Sequence, residues 1–191
     1  MPLNKLPYKN LGLLIKKHYS KNEHLQTAEL IKKLLPVKKR GWLNKDELIE
    51  ICRWKSPRAI WHIKSNNQTL IKKQTHLAFS TRSEELKIFE LTKLKGVSIP
   101  MASAILMLTN PKRYGVIDIR VWEVLFAMGS VKTNPNGINF KFNEWYKYLM
   151  IIRYQATKIK VSARNIERTL FIVHQENQAG NLYQNLGKNK K

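Results

Sequence analysis

Residues 91–118 constrain the fold of this 191-residue chain more than any other stretch. Leu91, Leu94, Val97, Ala102, Ile105 and Leu106 recur at helical spacing on both sides of a short break, Lys95-Gly96-Val97-Ser98. Two short helices sharing one apolar face must fold back on each other across so brief a connection, which predicts a helix-hairpin-helix over 84–109. The turn needs a residue at positive φ, and glycine takes it without a Cβ clash. Pro100 then fits the first turn of the second helix, where a missing N–H removes no hydrogen bond. Open amides at that helix start form a small positive concavity that suits a phosphate oxygen. Lys95, Gly96, Val97, Ser98 and Pro100 are the expected contacts.

Asp118 ends the apolar run Tyr114-Gly115-Val116-Ile117, and a new helical periodicity of Val121, Val124, Leu125 and Met128 follows it, so it reads as an N-cap. A capping aspartate alone implies no chemistry. However, Leu94-Lys95-Gly96-Val97-Ser98-Ile99-Pro100-Met101-Ala102 and Val116-Ile117-Asp118-Ile119-Arg120-Val121 resemble the pattern L-x-G-h-G-x-x-x-A (h apolar) followed by V-D-x-x-V. That is the signature of the helix-hairpin-helix DNA glycosylase superfamily, which includes endonuclease III and the alkylpurine glycosylases. The resemblance implies an all-α fold of two helical lobes with a DNA cleft between them, residues 1–24 with 113–191 forming one lobe and 25–112 the other. It makes Asp118 the catalytic aspartate. It also implies that the Trp54–Arg58 junction faces the DNA, with Lys55 and Arg58 as contacts.

The chain departs from the pattern twice. Ser98 replaces the second hairpin glycine, and Pro100, 18 residues before Asp118, stands where bifunctional members carry their Schiff-base lysine. The resemblance therefore implies a monofunctional glycosylase acting on a damaged, modified or mispaired base. A bifunctional glycosylase/lyase with a displaced lysine, and a non-catalytic DNA binder on the same scaffold, are the alternatives.

The charge balance points the same way. The net charge of +22, from 35 Lys and Arg against 13 Asp and Glu, calls for a polyanionic partner. Double-stranded DNA is the expected one, with an anionic membrane surface as the rival. Residues 1–45 and 129–191 carry +9 and +8 of the total, and the hairpin region is nearly balanced. No 18-residue apolar run is present, so we expect a monomeric cytoplasmic protein at the nucleoid, with no membrane span. Cys52 is the lone cysteine, which excludes an intrachain disulfide and a cysteine-held iron–sulfur cluster. The five histidines, 18, 24, 62, 76 and 174, do not mix locally with carboxylates, so no metal or other cofactor is expected. The resemblance leaves room for a monovalent cation at the hairpin.

Elsewhere the pattern predicts helices only. Leu11, Leu14 and Ile15, then Ala28, Ile31 and Leu35, mark two helices before Pro36, with 38–41 as a loop. Asn44 and Glu47 form a capping-box signature. Trp54 and Trp61 are either core fillers or aromatic side chains that stack on an everted base or fill the gap it leaves in the DNA stack. Residues 130–142 read as an exposed loop, Asn143 as the cap of a helix running to Ile159, and Ser162 as the cap of a final helix. The polar end 180–191 offers three lysines to DNA without specificity.

Overall fold

The computed structural model describes residues 3–179; the basic end at 180–191 lies outside the described residues. The helices are α1 Leu11–His18, α2 Leu25–Arg40, α3 Lys45–Lys55, α4 Ile60–Lys64, α5 Gln68–Ser80, α6 Glu84–Thr92, α7 Ile99–Thr109, α8 Ile119–Ala127, α9 Phe142–Lys158 and α10 Ala163–Asn177. A 3₁₀ turn, Pro57–Ala59, precedes α4. Among the described residues there is no strand, only a lone antiparallel bridge from Leu3 to Gln178, so the chain is all-α. None of the described helices is long and apolar enough to cross a membrane.

The apolar content of α7 decides where it sits. Met101 through Thr109 are all buried, and a helix apolar on every side belongs at the centre of a core. Accordingly α2, α3 and α6 pack around it, while α10 packs on α1, α8 and α9. Side chains of Asn10, Asn44, Asn67, Ser83, Asp118 and Ser162 accept first-turn amides of α1, α3, α5, α6, α8 and α10. Each such cap contributes about 1 kcal/mol. The start of α6 is tied to α9 through Glu84, which receives Arg153 Nη2 at 2.8 Å and the Tyr114 hydroxyl at 3.0 Å. Burial, with Glu84 alongside, pushes the Tyr114 hydroxyl up to about 12.

Four local expectations are corrected. Helix α2 runs through Pro36 to Arg40 and ends at Gly41, which takes the left-handed conformation and donates its N–H to Val37 O at 2.7 Å. The proline is tolerated because Pro36 and Lys32, whose carbonyl loses its donor, lie on the exposed side. The buried stripe of α2 is Thr27, Leu34 and Val37, one residue out of phase with the expected Ala28 and Leu35. Helix α9 starts at Phe142, since Glu144 Oε2 accepts the Lys141 N–H at 2.8 Å, so Asn143 is inside the first turn. The 130–142 segment is not simply exposed. Gly137, Val131 and Phe140 are buried, and Trp122 Nε1 donates to Asn134 O at 2.8 Å, folding this loop onto α8.

Candidate functional site

The segment ahead of α8 is held on three sides. Ser103 Oγ donates to Pro100 O at 2.8 Å and accepts the Ile117 N–H at 3.1 Å, so one hydroxyl of α7 links the hairpin helix to the residue before Asp118. The Tyr148 hydroxyl of α9 donates to Val116 O at 3.0 Å. Gly115 permits this approach: a Cβ there would fall 2.6 Å from Tyr148 Oη and 2.7 Å from Glu167 Cβ. Asp118 then divides its carboxylate between two tasks. Oδ1 accepts the Val121 N–H at 3.1 Å and caps α8, while Lys55 Nζ approaches Oδ2 at 3.4 Å. The Lys55 and Asp118 side chains are 16% and 20% exposed.

The hairpin forms as its spacing predicts, with α6 and α7 joined through Gly96 at φ +82°. A Cβ on Gly96 would lie 2.8 Å from His62 Cβ, so the glycine serves both the turn and its seat on α4. Buried Asn66 clamps the other side, donating from Nδ2 to Lys95 O and accepting the Lys95 N–H on Oδ1, both at 2.9 Å. Nothing in the local pattern announces a side chain whose partner is 29 residues away. Val97 has its side chain buried and its N–H bonded to Leu94 O at 3.0 Å. Ser98 occupies the N-cap position of α7 but makes no side-chain cap, which leaves the first turn uncapped beside Pro100.

Two cavities meet at Asp118. The larger, about 670 Å³, is lined by Thr27, Trp54, Arg164, Glu167 and Phe171 among others. The smaller, about 300 Å³, is lined by Arg58, Gly96, Ser98, Pro100 and the returning residues 137–140. Lys55, Asp118 and Ile119 belong to both, so the carboxylate and the amine sit at the neck between them.

Charged side chains far apart in sequence build the floor of the larger cavity. Arg164 holds Glu23 with Nε at 2.7 Å and Nη2 at 3.1 Å, and its Nη1 binds Glu167. Arg168 Nη2 donates to Ser20 O, fastening the same linker. Burial pushes the Glu167 carboxyl up and the Asp118 charge adds to that, against the opposing pull of Arg164. For Glu23, burial also pushes upward, but the bond and charge of Arg164 outweigh it and leave the carboxyl below its ordinary value. Tyr148 is raised well above the usual phenol by burial, with Glu167 and Asp118 adding to the effect.

The two tryptophans separate. Trp54 is half-buried, donates from Nε1 to Thr27 Oγ1 at 3.0 Å and lines the larger cavity. Trp61 is corrected as a core filler: it is 79% exposed, and it lines neither cavity. It sits on the outer face of α4, with Lys64 Nζ 5.9 Å from its ring centre. Two histidines also pair with carboxylates across the fold, His174 Nε2 with Glu123 Oε2 at 2.7 Å and His18 Nδ1 with Glu176 at 3.4 Å. Among the described residues no three His, Cys, Asp or Glu side chains gather where they would hold a metal ion. No protein-family model matches the chain, and no curated protein or solved structure matches it significantly.

Proposed function

We propose that the protein is a DNA N-glycosylase of the helix-hairpin-helix type, which everts a damaged, modified or mispaired nucleotide and breaks its N-glycosidic bond. The observation that carries this reading is Asp118 Oδ2, free of capping duty and open at the neck between two cavities, beside the hairpin turn. In this reading the sequence groups 1–24 with 113–191 and 25–112 are two lobes, and DNA lies across the seam. The uncapped start of α7 receives a phosphate, the sugar rests at the neck and the base enters the larger cavity beside Trp54 and Phe171. Breaking the bond puts positive charge on the sugar, so a fixed carboxylate stabilises the transition state and orients the attacking water. Eversion costs a few kcal/mol, least for a mispaired or damaged base, which itself supplies selectivity.

The test uses duplexes that each carry one altered base, treated with hot alkali after incubation to turn base loss into strand breaks. Wild-type protein is expected to release at least one of the bases. Asp118→Asn should reduce release by about 10²–10³-fold, the usual cost of losing one preorganised electrostatic group. Asparagine caps a helix as well as aspartate does, so the variant keeps α8 intact. Tight binding with no release from any duplex would leave a non-catalytic DNA binder instead. Binding should weaken with salt at about −0.9 in log–log slope per phosphate neutralised.

A further inference from the structure

We infer that the outer face of α9 is a second binding surface, which takes single-stranded DNA. Helix α9 buries Trp145, Tyr148, Leu149, Ile152 and Ala156, and this leaves Tyr146, Met150 and Tyr154 as a ridge at i, i+4 spacing along its other side. All three are exposed, Tyr154 the most at 58%, and two of them carry rings. No residue of α9 lines either cavity at Asp118, so the ridge lies outside that cleft.

Cations border the ridge. Arg153, Thr157 and Lys160 lie beside it and, with Lys112 and Arg113 from the connection after α7, line an open concavity of about 810 Å³ that has no carboxylate in its wall. Glu84 accepts Arg153 Nη2 at 2.8 Å and Arg113 Nη2 at 3.3 Å, which offsets one charge and fixes both guanidinium groups in place. Lys158 Nζ lies 4.6 Å from the Tyr154 ring centre and brings a further cation to the aromatic surface. Lys160 holds φ +56°, just past the end of α9, where glycine is the favoured residue. A lysine there strains the backbone, and its side chain lines the concavity.

Rings set among cations discriminate between polyanions. Duplex DNA keeps its bases stacked on each other and offers an aromatic ridge no base face. An unpaired strand offers faces to Tyr146 and Tyr154 and phosphates to Arg153, Lys158 and Lys160, the combination by which sequence-tolerant single-strand binders hold their ligand. The choice of DNA over RNA rests on the proposed glycosylase reading, whereas the surface itself does not.

The experiment follows the fluorescence anisotropy of a labelled thymidine homopolymer, which cannot pair with itself, added to the full chain in the presence of one equivalent of unlabelled duplex. The strand is expected to bind alongside the duplex. Replacing both rings, Tyr146→Ser with Tyr154→Ser, should weaken strand binding by at least about fivefold and leave duplex affinity unchanged. Lys160→Gly relieves the left-handed strain, so its melting temperature should be unchanged or higher, while the salt dependence of strand binding should fall by about 0.7 in log–log slope, one phosphate contact. That variant decides the matter even where the double tyrosine variant fails to fold. Displacement of the strand by the duplex, or strand binding and salt slope unaltered in the variants, overturns the inference. So does a marked preference for the RNA homopolymer, or loss of binding to phosphatidylserine vesicles in the tyrosine variant with strand binding intact, which would make this face a membrane contact. Base release from altered duplexes is scored on the same wild-type preparation. Release without tyrosine-dependent strand binding sinks this inference and leaves the glycosylase reading standing. Tyrosine-dependent strand binding without release from any altered duplex supports the inference and sinks the glycosylase reading.

Discussion

On the hairpin side of Asp118, position is set by backbone. Gly96 turns the chain, Asn66 grips both polar atoms of the Lys95 peptide neighbourhood, and Ser103 joins α7 to Ile117. On the α10 side, position is set by charge, with Glu23, Arg164 and Glu167 locked together and Arg168 holding Ser20 O. The two designs fail differently. A backbone device is indifferent to salt and pH but has no room for an extra methyl group. A buried charge network tolerates small changes of shape but loses its balance when one member is neutralised.

Removing Arg164 tests this most severely. Arg164→Ala leaves Glu167, which is 2% exposed, and Glu23 without their cation. Breaking one member of such a buried pair costs about 3–5 kcal/mol, and urea unfolding should report a loss of that order with an unchanged m-value. A loss under about 1 kcal/mol would mean that water already enters the floor and that the charges are effectively surface groups.

Glycine substitutions probe the other side. Gly115→Ala puts a Cβ within 2.6 Å to 2.8 Å of Tyr148, Glu167 and Ile152. Gly96→Ala meets His62 at 2.8 Å and must also hold φ +82°. Each should cost about 1–3 kcal/mol in a thermal or urea melt. The sharper distinction is functional, since Gly96→Ala should weaken DNA binding beyond its effect on stability, measured by titration well below the melting transition. Equal losses of stability with unaltered DNA affinity would remove the hairpin from the binding surface.

The same contrast explains what was legible in the sequence. Gly96, Pro100 and the apolar spacing of 91–106 act within one supersecondary unit, so the hairpin could be read, as could Asp118 as a cap. The floor could not, because Arg164 and Glu23 are separated by 141 positions, and neither carries a local mark of its partner. Lys55 was readable as a basic residue at a junction, yet its approach to Asp118 depends on where the fold brings the end of α3 relative to the start of α8. The α2 stripe was misread by one position because Leu34 and Leu35 satisfy helical spacing equally well. Burial of Thr27 and Val37, decided by neighbours, fixes the choice.

Acid titration separates the two carboxylates of the α10 side by sign. Glu23 lies below its ordinary value of 4.5 in the folded chain, so its contribution is present above that value and is lost as pH falls through the lowered one. Glu167 lies above its ordinary value, so its contribution is full below that value and is lost as pH rises through the raised one. Stability measured by urea unfolding between pH 6 and pH 3, a range of about three units around the carboxylate values, should therefore fall less steeply in Glu23→Gln than in wild type. In Glu167→Gln it should fall more steeply. Parallel curves for all three would show that Arg164 does not discriminate between its two partners.

The smallest effect is expected at Trp61, and its smallness carries the point. This residue is 79% exposed on α4, next to the helix turn that seats Gly96, and the Lys64 ammonium lies 5.9 Å from its ring centre. Truncating a side chain that buries so little changes stability by about 0.5 kcal/mol or less, so the melting curve of Trp61→Ala should overlay that of wild type. A loss above about 1 kcal/mol would mean that α4 is braced through this ring, and the hairpin would then owe its position to side-chain packing as well as to the backbone clamp of Asn66. With stability unchanged, DNA affinity becomes a clean reading of the outer face of α4. A drop of more than about threefold, larger than a 0.5 kcal/mol change accounts for, would extend the binding surface from the hairpin turn onto that helix.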